Sequence, residues 1–321
     1  MKVVILGNTT NPITQKPNDP YSWFVKSFRD GFNHNNIECK LINYRKTGLL
    51  NIKRQLISYK PQYVFTHLSF HNNTYPIEQM LQTFSELNKV HNIKFIHTCS
   101  DARRVDRYMG NLSESFHCAL VGTYPLVENG RKAWKIPTYY TPYSAITQYN
   151  IAQPTNELSF NKLPIFTGGE TSHKDRWEFI KLLRNYGLQI KTFKTQGSDD
   201  MRERTQQLSS SATCILGLCT GYDIDGFADV RWVQYGGSGA CLIMRKFTSF
   251  DKLLPDDLYY SFNSYSEEDA RLVKKTYSKI LNTDTWPMRS KLFHYIQQTH
   301  SSKVRIKQIL DVLDGTRDDI L

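Results

Sequence analysis

The chain has 321 residues, 40% of them apolar and 13% aromatic, a composition that suits two globular domains and excludes a disordered class. Lysine and arginine number 41 against 30 acidic residues, and the resulting charge of +11 favours an anionic partner: a nucleotide, a nucleic acid or a phosphorylated lipid. No run approaches the ~18 apolar residues a membrane span needs. The apolar part of Met1–Gly7 is too short for a secretory signal and reads as a first strand, so a cytoplasmic location is expected.

In chain order, Lys2–Leu6 predicts a strand that leaves through Gly7 into a polar loop starting at Asn8. Tyr21–Asn33 carries Trp23, Phe24, Phe28 and Phe32 at helical spacing and predicts a core-facing helix. Strands are expected at Ile37–Asn43, Tyr63–Leu68 and Lys94–Thr98. Helices lie between them at Leu49–Ser58 and Ile77–His91, the latter with Met80, Phe84 and Leu87 inward. Short strands at Ala119–Gly122 and Thr138–Thr141 complete this half. Strand and helix alternating through short connections predict a parallel, doubly wound sheet.

The polar, proline-bearing Tyr149–Asn161 reads as a linker, after which the pattern starts again. Strands are expected at Pro164–Thr167, Ile190–Phe193, Thr213–Leu218 and Ala240–Met244. Helices are expected after Gly169 and at Met201–Ser209, Asp229–Tyr235, Glu267–Leu281 and Met288–Leu313. The fold class is therefore α/β, with two Rossmann-like domains facing a cleft. Their expected bounds are 1–158 and 159–300, with a C-terminal helix in 301–321 returning to the first. Six cysteines (Cys39, Cys99, Cys118, Cys214, Cys219, Cys241) form no CxxC pair and read as buried free thiols.

The stretch Leu163–Leu183 combines an apolar strand, the Gly168-Gly169 turn and an amphipathic helix with Trp177, Ile180 and Leu183 on its apolar side. Such a corner offers backbone N–H groups and a positive helix end to an anion, and here it also carries His173, Lys174 and Arg176. Two readings stand: a diphosphate-holding corner, or an ordinary strand-to-helix turn with a basic edge. Asp101 follows a predicted strand and reads as a general base, or as a helix cap or partner of Arg103 or Arg104. Arg231 has the fork geometry for phosphate oxygens and Gln234, one turn on, suits a ribose hydroxyl; a surface arginine on an amphipathic helix is the other reading. Asp223 and Asp225 read as a solvated turn, and no metal site is assigned. No Gly-x-x-x-x-Gly-Lys-[Ser/Thr] loop and no Gly-x-Ser-x-Gly elbow occurs, which argues against a P-loop enzyme and an α/β-hydrolase.

In order and spacing these parts resemble the GT-B glycosyltransferases, and more closely the phage DNA β-glucosyltransferases. Ser100-Asp101-Ala102-Arg103 resembles that family's threonine-aspartate-x-arginine step. Gly168-Gly169 with Arg176 resembles its Gly-Gly-Ser turn and later arginine. Val230-Arg231-Trp232-Val233-Gln234, followed by Gly236–Met244, resembles its Leu-Arg-x-x-Glu helix, small residues and strand. Two positions depart: a phosphate-binding arginine falls on Ser172, with His173 and Lys174 beside it, and the ribose-binding glutamate is Gln234.

The resemblance implies a viral enzyme, working in the cytoplasm of an infected cell, that moves glucose from UDP-glucose or a similar nucleotide sugar. The acceptor would be a hydroxymethylated base in DNA, and the reaction an inverting direct displacement. Asp101 would be the base, and Gly168, Gly169, His173, Lys174, Arg176, Arg231 and Gln234 would hold the donor. Asn8, Arg103 and Arg104 would lie on the acceptor side. Lys46, Lys53, Arg54, Arg103, Arg104 and Arg107 would track DNA phosphates. The donor is a cosubstrate rather than a cofactor, and a need for a divalent metal stays open. Two other readings remain: a GT-B enzyme that builds a polysaccharide or protein-linked glycan, and a non-catalytic nucleotide or nucleic-acid binding module.

Overall fold

The computed structural model describes residues 1–7, 23–66, 75–99, 110–151, 163–168, 173–193, 207–219 and 223–321. They form two compact units, Met1–Tyr143 with Ser302–Leu321, and Ser144–Ser301. The expected boundary at 158/159 lies outside the described residues.

In the first unit, β1 (Lys2–Gly7), β2 (Glu38–Asn43), β3 (Tyr63–Thr66), β4 (Lys94–Cys99), β5 (Cys118–Val121) and β6 (Thr138–Tyr140) make a parallel sheet in the order β2-β1-β3-β4-β5-β6. Alternate side chains of a strand face opposite ways, so β1 feeds two cores at once. Val3 and Ile5 pack with Phe24, Phe28 and Phe32 of α1 (Trp23–His34). Val4 and Leu6 pack on the other side with α2 (Leu49–Tyr59), α3 (Ile77–His91) and α4 (Tyr124–Trp134).

The last helix of the chain, Ser302–Leu313, belongs to the α1 face: Ile306, Ile309, Val312 and Leu313 lie in the same cluster as the three phenylalanines. Gly31 makes this contact close, because a Cβ there would stand 2.4 Å from the Ser302 carbonyl oxygen. The Ser302 hydroxyl donates to Asp30 at the same place.

In the second unit, β7 (Ile165–Thr167), β8 (Lys191–Phe193), β9 (Ile215–Gly217), β10 (Leu242–Arg245) and β11 (Tyr260–Phe262) are parallel in the order β11-β10-β9-β7-β8. One face of the sheet is covered by α5 (Lys174–Asn185) and α6 (Glu267–Ile280), whose Phe179, Ile180, Leu183, Val273 and Tyr277 pack on Phe166, Leu216 and Ile243. Near Leu242, the short π-helical turn Trp232–Gly236 meets Leu292 and Ile296 of α7 (Trp286–Thr299). With the final helix numbered α8, the two sheets share one winding: the first strand is flanked by the second and the third. Connections diverge on either side of that strand, which opens a crevice at its C-terminal end.

Four expectations on local structure change. The single helix expected over Met288–Leu313 is two, α7 and α8. It breaks at His300 because the His300 carbonyl accepts the Ala145 N–H at 2.9 Å, while its ring nitrogen Nε2 lies 2.9 Å from the Leu253 carbonyl. The helix expected over Asp229–Tyr235 contracts to the π turn. Two elements, α4 and β11, were not anticipated. Of the helix expected at Met201–Ser209, only 207–209 are described, and these are helical. All six cysteines are free, with Cys39 and Cys99 half-buried rather than buried. Among the described residues no helix is long and apolar enough to cross a membrane.

Candidate functional site

Two arginines of the second unit, Arg176 and Arg231, meet at the crevice end of β7. That strand runs into Gly168, whose φ of 128° lies in the left-handed region that favours glycine. A Cβ at Gly168 would sit 2.8 Å from Nη2 of Arg231 and 3.9 Å from Nη1 of Arg176. Two guanidinium groups therefore converge on one glycine.

Arg176 arrives there because of its place in α5. It shares the inward stripe with Phe179, Ile180 and Leu183, so helical spacing carries a charged residue into the interior, where it is only 4% exposed. Its Nε is buried and has no hydrogen-bond partner among the described residues. Burial, and then the neighbouring charge of Arg231, push its pKa below the ordinary arginine value. The guanidinium lies over the Phe166 ring, 5.5 Å from the centroid.

Arg231 is held differently. Its Nη1 pairs with the Asp229 carboxylate, and its Nε and Nη2 donate to the Thr167 carbonyl at 3.3 and 3.2 Å. Burial opposes its charge, but the Asp229 carboxylate outweighs burial and holds its pKa above the usual value. The Tyr235 hydroxyl donates to Thr167 Oγ1 at 2.7 Å, tying the π turn to the same strand end. Tyr265, whose hydroxyl donates to the Cys219 carbonyl at 2.6 Å, lies within electrostatic range of Arg176, Arg245 and Arg231.

Among the described residues the cluster thus sets two guanidinium groups, Arg176 buried and Arg231 partly buried, against one carboxylate, that of Asp229. A site with that imbalance, at the C-terminal edge of a doubly wound sheet and beside the start of α5, is suited to an anion.

Three of the other expected donor residues, His173, Lys174 and Gln234, lie at the start of α5 and on the π turn. His173 is the N-cap residue of α5 and makes no side-chain cap bond. Lys174 is exposed and lies 3.8 Å from Glu178. Gln234 is buried on the π turn, where its carbonyl accepts the Ser238 hydroxyl at 3.0 Å. Asn8, Asp101, Arg103, Arg104, Arg107, Gly169 and Ser172 lie outside the described residues. Of the basic residues expected to meet DNA, Lys46 and Arg54 are exposed, while Lys53 pairs with Glu86 at 2.5 Å. Among the described residues no group of three or more His, Cys, Asp or Glu side chains is arranged to hold a metal ion.

No protein-family model matches the chain, and no curated protein does. Solved structures do. Sucrose-phosphate synthase from Thermosynechococcus elongatus aligns with a TM-score of 0.63 at 10% identity, over 99% of this chain and 100% of that one. Anabaena Alr3699/HepE in complex with UDP-glucose gives 0.63 at 10% identity, over 98% and 100%. The T4 phage β-glucosyltransferase gives 0.60 at 15% identity, over 97% and 99%. The fold is GT-B.

Sequence reasoning did not single out Asp229, Thr167, Tyr235 or Phe166, which hold the arginines of this GT-B chain in place. One signal was available. An aspartate two residues before an arginine can bond both that arginine's backbone N–H and its side chain, as Asp229 does with Arg231.

Proposed function

We propose that the protein is a nucleotide-sugar glycosyltransferase with its donor site at the Arg176–Arg231 cluster. The observation that carries this reading is Arg176: a buried arginine whose Nε lacks a partner among the described residues, facing a second arginine, in a chain with the GT-B fold. A buried guanidinium N–H with no acceptor is costly unless a ligand completes it. A nucleotide diphosphate would supply the missing anion, and the start of α5 would add N–H donors. The names of similar structures support a UDP-sugar, since HepE and the DNA-modifying β-glucosyltransferase are described with uridine diphosphate ligands. Gly168, Gly169, His173, Lys174 and Gln234 are proposed as further donor contacts on the sequence match.

The proposed reaction is a direct displacement. An acceptor hydroxyl oxygen attacks the anomeric carbon, the bond from that carbon to the diphosphate oxygen breaks, and UDP leaves. The hydroxyl proton passes to Asp101, proposed as base from the Ser100–Arg103 match, with Asn8, Arg103 and Arg104 on the acceptor side. Stabilising charge on the departing diphosphate is the task of Arg176 and Arg231. The proposed acceptor is a hydroxymethylated base in DNA. The +11 charge and the three short motifs favour it, and an enzyme acting on such a base commonly flips it out of the stack.

The test supplies labelled UDP-glucose with hydroxymethylated DNA, plain DNA and a glycan in parallel. Label in the hydroxymethylated DNA alone is expected, with transfer weakening steeply as salt rises. Label in glycan alone would replace the DNA reading with the polysaccharide one. Asp101→Asn should abolish transfer while UDP still binds; unchanged turnover would remove Asp101 as the base. A native chain that binds UDP but never transfers or hydrolyses the sugar would be a binding module.

A further inference from the structure

Asp229 contacts Arg231 twice. One carboxylate oxygen pairs with Nη1, and the other accepts the Arg231 backbone N–H at 2.7 Å. On the opposite side Thr167 takes Nε and Nη2 through its carbonyl, and its hydroxyl accepts from Tyr235 four residues further along. The segment Asp229–Tyr235 is thereby fastened to the last residue of β7 at two points, with Asp229 setting the angle of the guanidinium between them. A guanidinium has five N–H donors in a rigid plane. Three are used in these contacts, leaving at most two in directions fixed by the clamp.

We infer that Asp229 is a positioning residue: it touches no ligand, but fixes the plane in which Arg231 presents its remaining N–H groups to the donor diphosphate. The inference rests on the donor-site reading above. Two alternative roles make different demands. A mere counter-ion would weaken anion binding by its own negative charge, so removing the charge would tighten every anion. A merely structural residue would lower the binding of all anions together with stability. A positioning residue gives a third pattern, because orientation matters to a diphosphate held at two places and little to a small free anion.

The experiment uses the full chain and isothermal titration with two probes, UDP and inorganic phosphate, on the native protein and Asp229→Asn. The substitution keeps shape and an oxygen acceptor but removes the charge. UDP affinity is expected to fall about tenfold or more, the worth of one charge-assisted hydrogen bond, although the site has gained net positive charge. Phosphate affinity should hold or rise. In the transfer assay, KM for UDP-glucose should rise more than kcat falls.

Asp229→Glu keeps the charge but displaces the carboxylate by one methylene, and is also expected to bind UDP more weakly. UDP binding by Asp229→Asn as tight as native or tighter would overturn the inference, and so would a parallel loss of UDP and phosphate binding. If Asp229→Asn does not fold, Asp229→Glu decides: native UDP affinity there would equally overturn it. A native chain that binds no UDP would remove the donor-site reading and this inference with it. Native binding that Asp229→Asn leaves intact would remove the inference alone.

Discussion

Arg176 and Arg231 turn toward the same aromatic ring, with their guanidinium carbons 5.5 and 5.8 Å from the centroid of Phe166, although one comes from α5 and the other from the π-turn segment. The ring offers each cation a weak attraction of about 0.5–2 kcal/mol. It does not remove the repulsion between them, which pushes the Arg176 pKa down after burial has done so. The charge of Arg176 is therefore held at a cost to the fold.

Replacing that charge separates stability from function. Arg176→Met fills similar volume without a buried cation, and is expected to stabilise the protein by ~1–3 kcal/mol. The same variant should lose UDP binding. Urea unfolding and calorimetric titration check the two halves, and a variant both less stable and still able to bind would refute the assignment of Arg176.

Gly168→Ala meets two obstacles. The left-handed φ disfavours any side chain, at a cost of about 1–3 kcal/mol, and the new methyl would lie 2.8 Å from Arg231 Nη2. The colliding atom is the end of a side chain, so the arginine is expected to swing away. UDP affinity should fall further than the stability loss accounts for. Titration of the variant at a temperature where it remains folded measures this, and native affinity would contradict it.

Acid sensitivity is expected at the start of α6. Asp269 accepts the backbone N–H groups of Asn263 at 3.2 Å and Ser264 at 2.8 Å, and its own N–H donates to the Ser266 hydroxyl. Burial pushes its pKa up, but the bonds its carboxylate accepts, from the Ser264 hydroxyl foremost, then from the Asn263 and Ser264 N–H groups and the Ser266 hydroxyl, outweigh burial and hold it below the usual carboxylate value. A depressed folded pKa stabilises above the unfolded value of about 3.9, and the gain is lost as pH falls through the folded value. Asp269→Asn should therefore melt below the native protein by a constant margin above about pH 5, with the margin shrinking below about pH 4. A margin independent of pH down to about 2 would argue against the shift.

The contact between α1 and α8 gives a purely structural expectation. A methyl at residue 31 would press on the Ser302 carbonyl at 2.4 Å, and backbone cannot step aside as a side chain can. Gly31→Ala is expected to cost about 1–3 kcal/mol in denaturant unfolding. UDP binding should survive, since the arginine cluster belongs to the other unit.

Much of this architecture was legible in local patterning. The period of Phe24, Phe28 and Phe32 marked a buried helix face, because burial on one side imposes that spacing, and the continuous apolar run after Lys2 marked β1, a strand buried on both sides. The signal for α4 was present in Thr123 followed by Pro125, a cap and a first-turn proline; the Thr123 hydroxyl does accept the Leu126 N–H. The break at His300 was hidden, because it depends on hydrogen bonds to Ala145 and Leu253, far away in sequence. The arginine cluster was half legible. Helix spacing could place Arg176 on the inward stripe of α5, and the two-residue spacing of Asp229 and Arg231 allowed their pair, but nothing local says that Arg176 and Arg231 meet at Gly168.

The return of α8 to the α1 face bears on the order in which the chain matures. A core that needs Ile306, Ile309, Val312 and Leu313 stays open until those residues have left the ribosome. Residues 144–301, by contrast, make up their unit without a break in sequence. The half synthesised first is thus completed last, and until then the apolar face of α1 is what chaperones would meet.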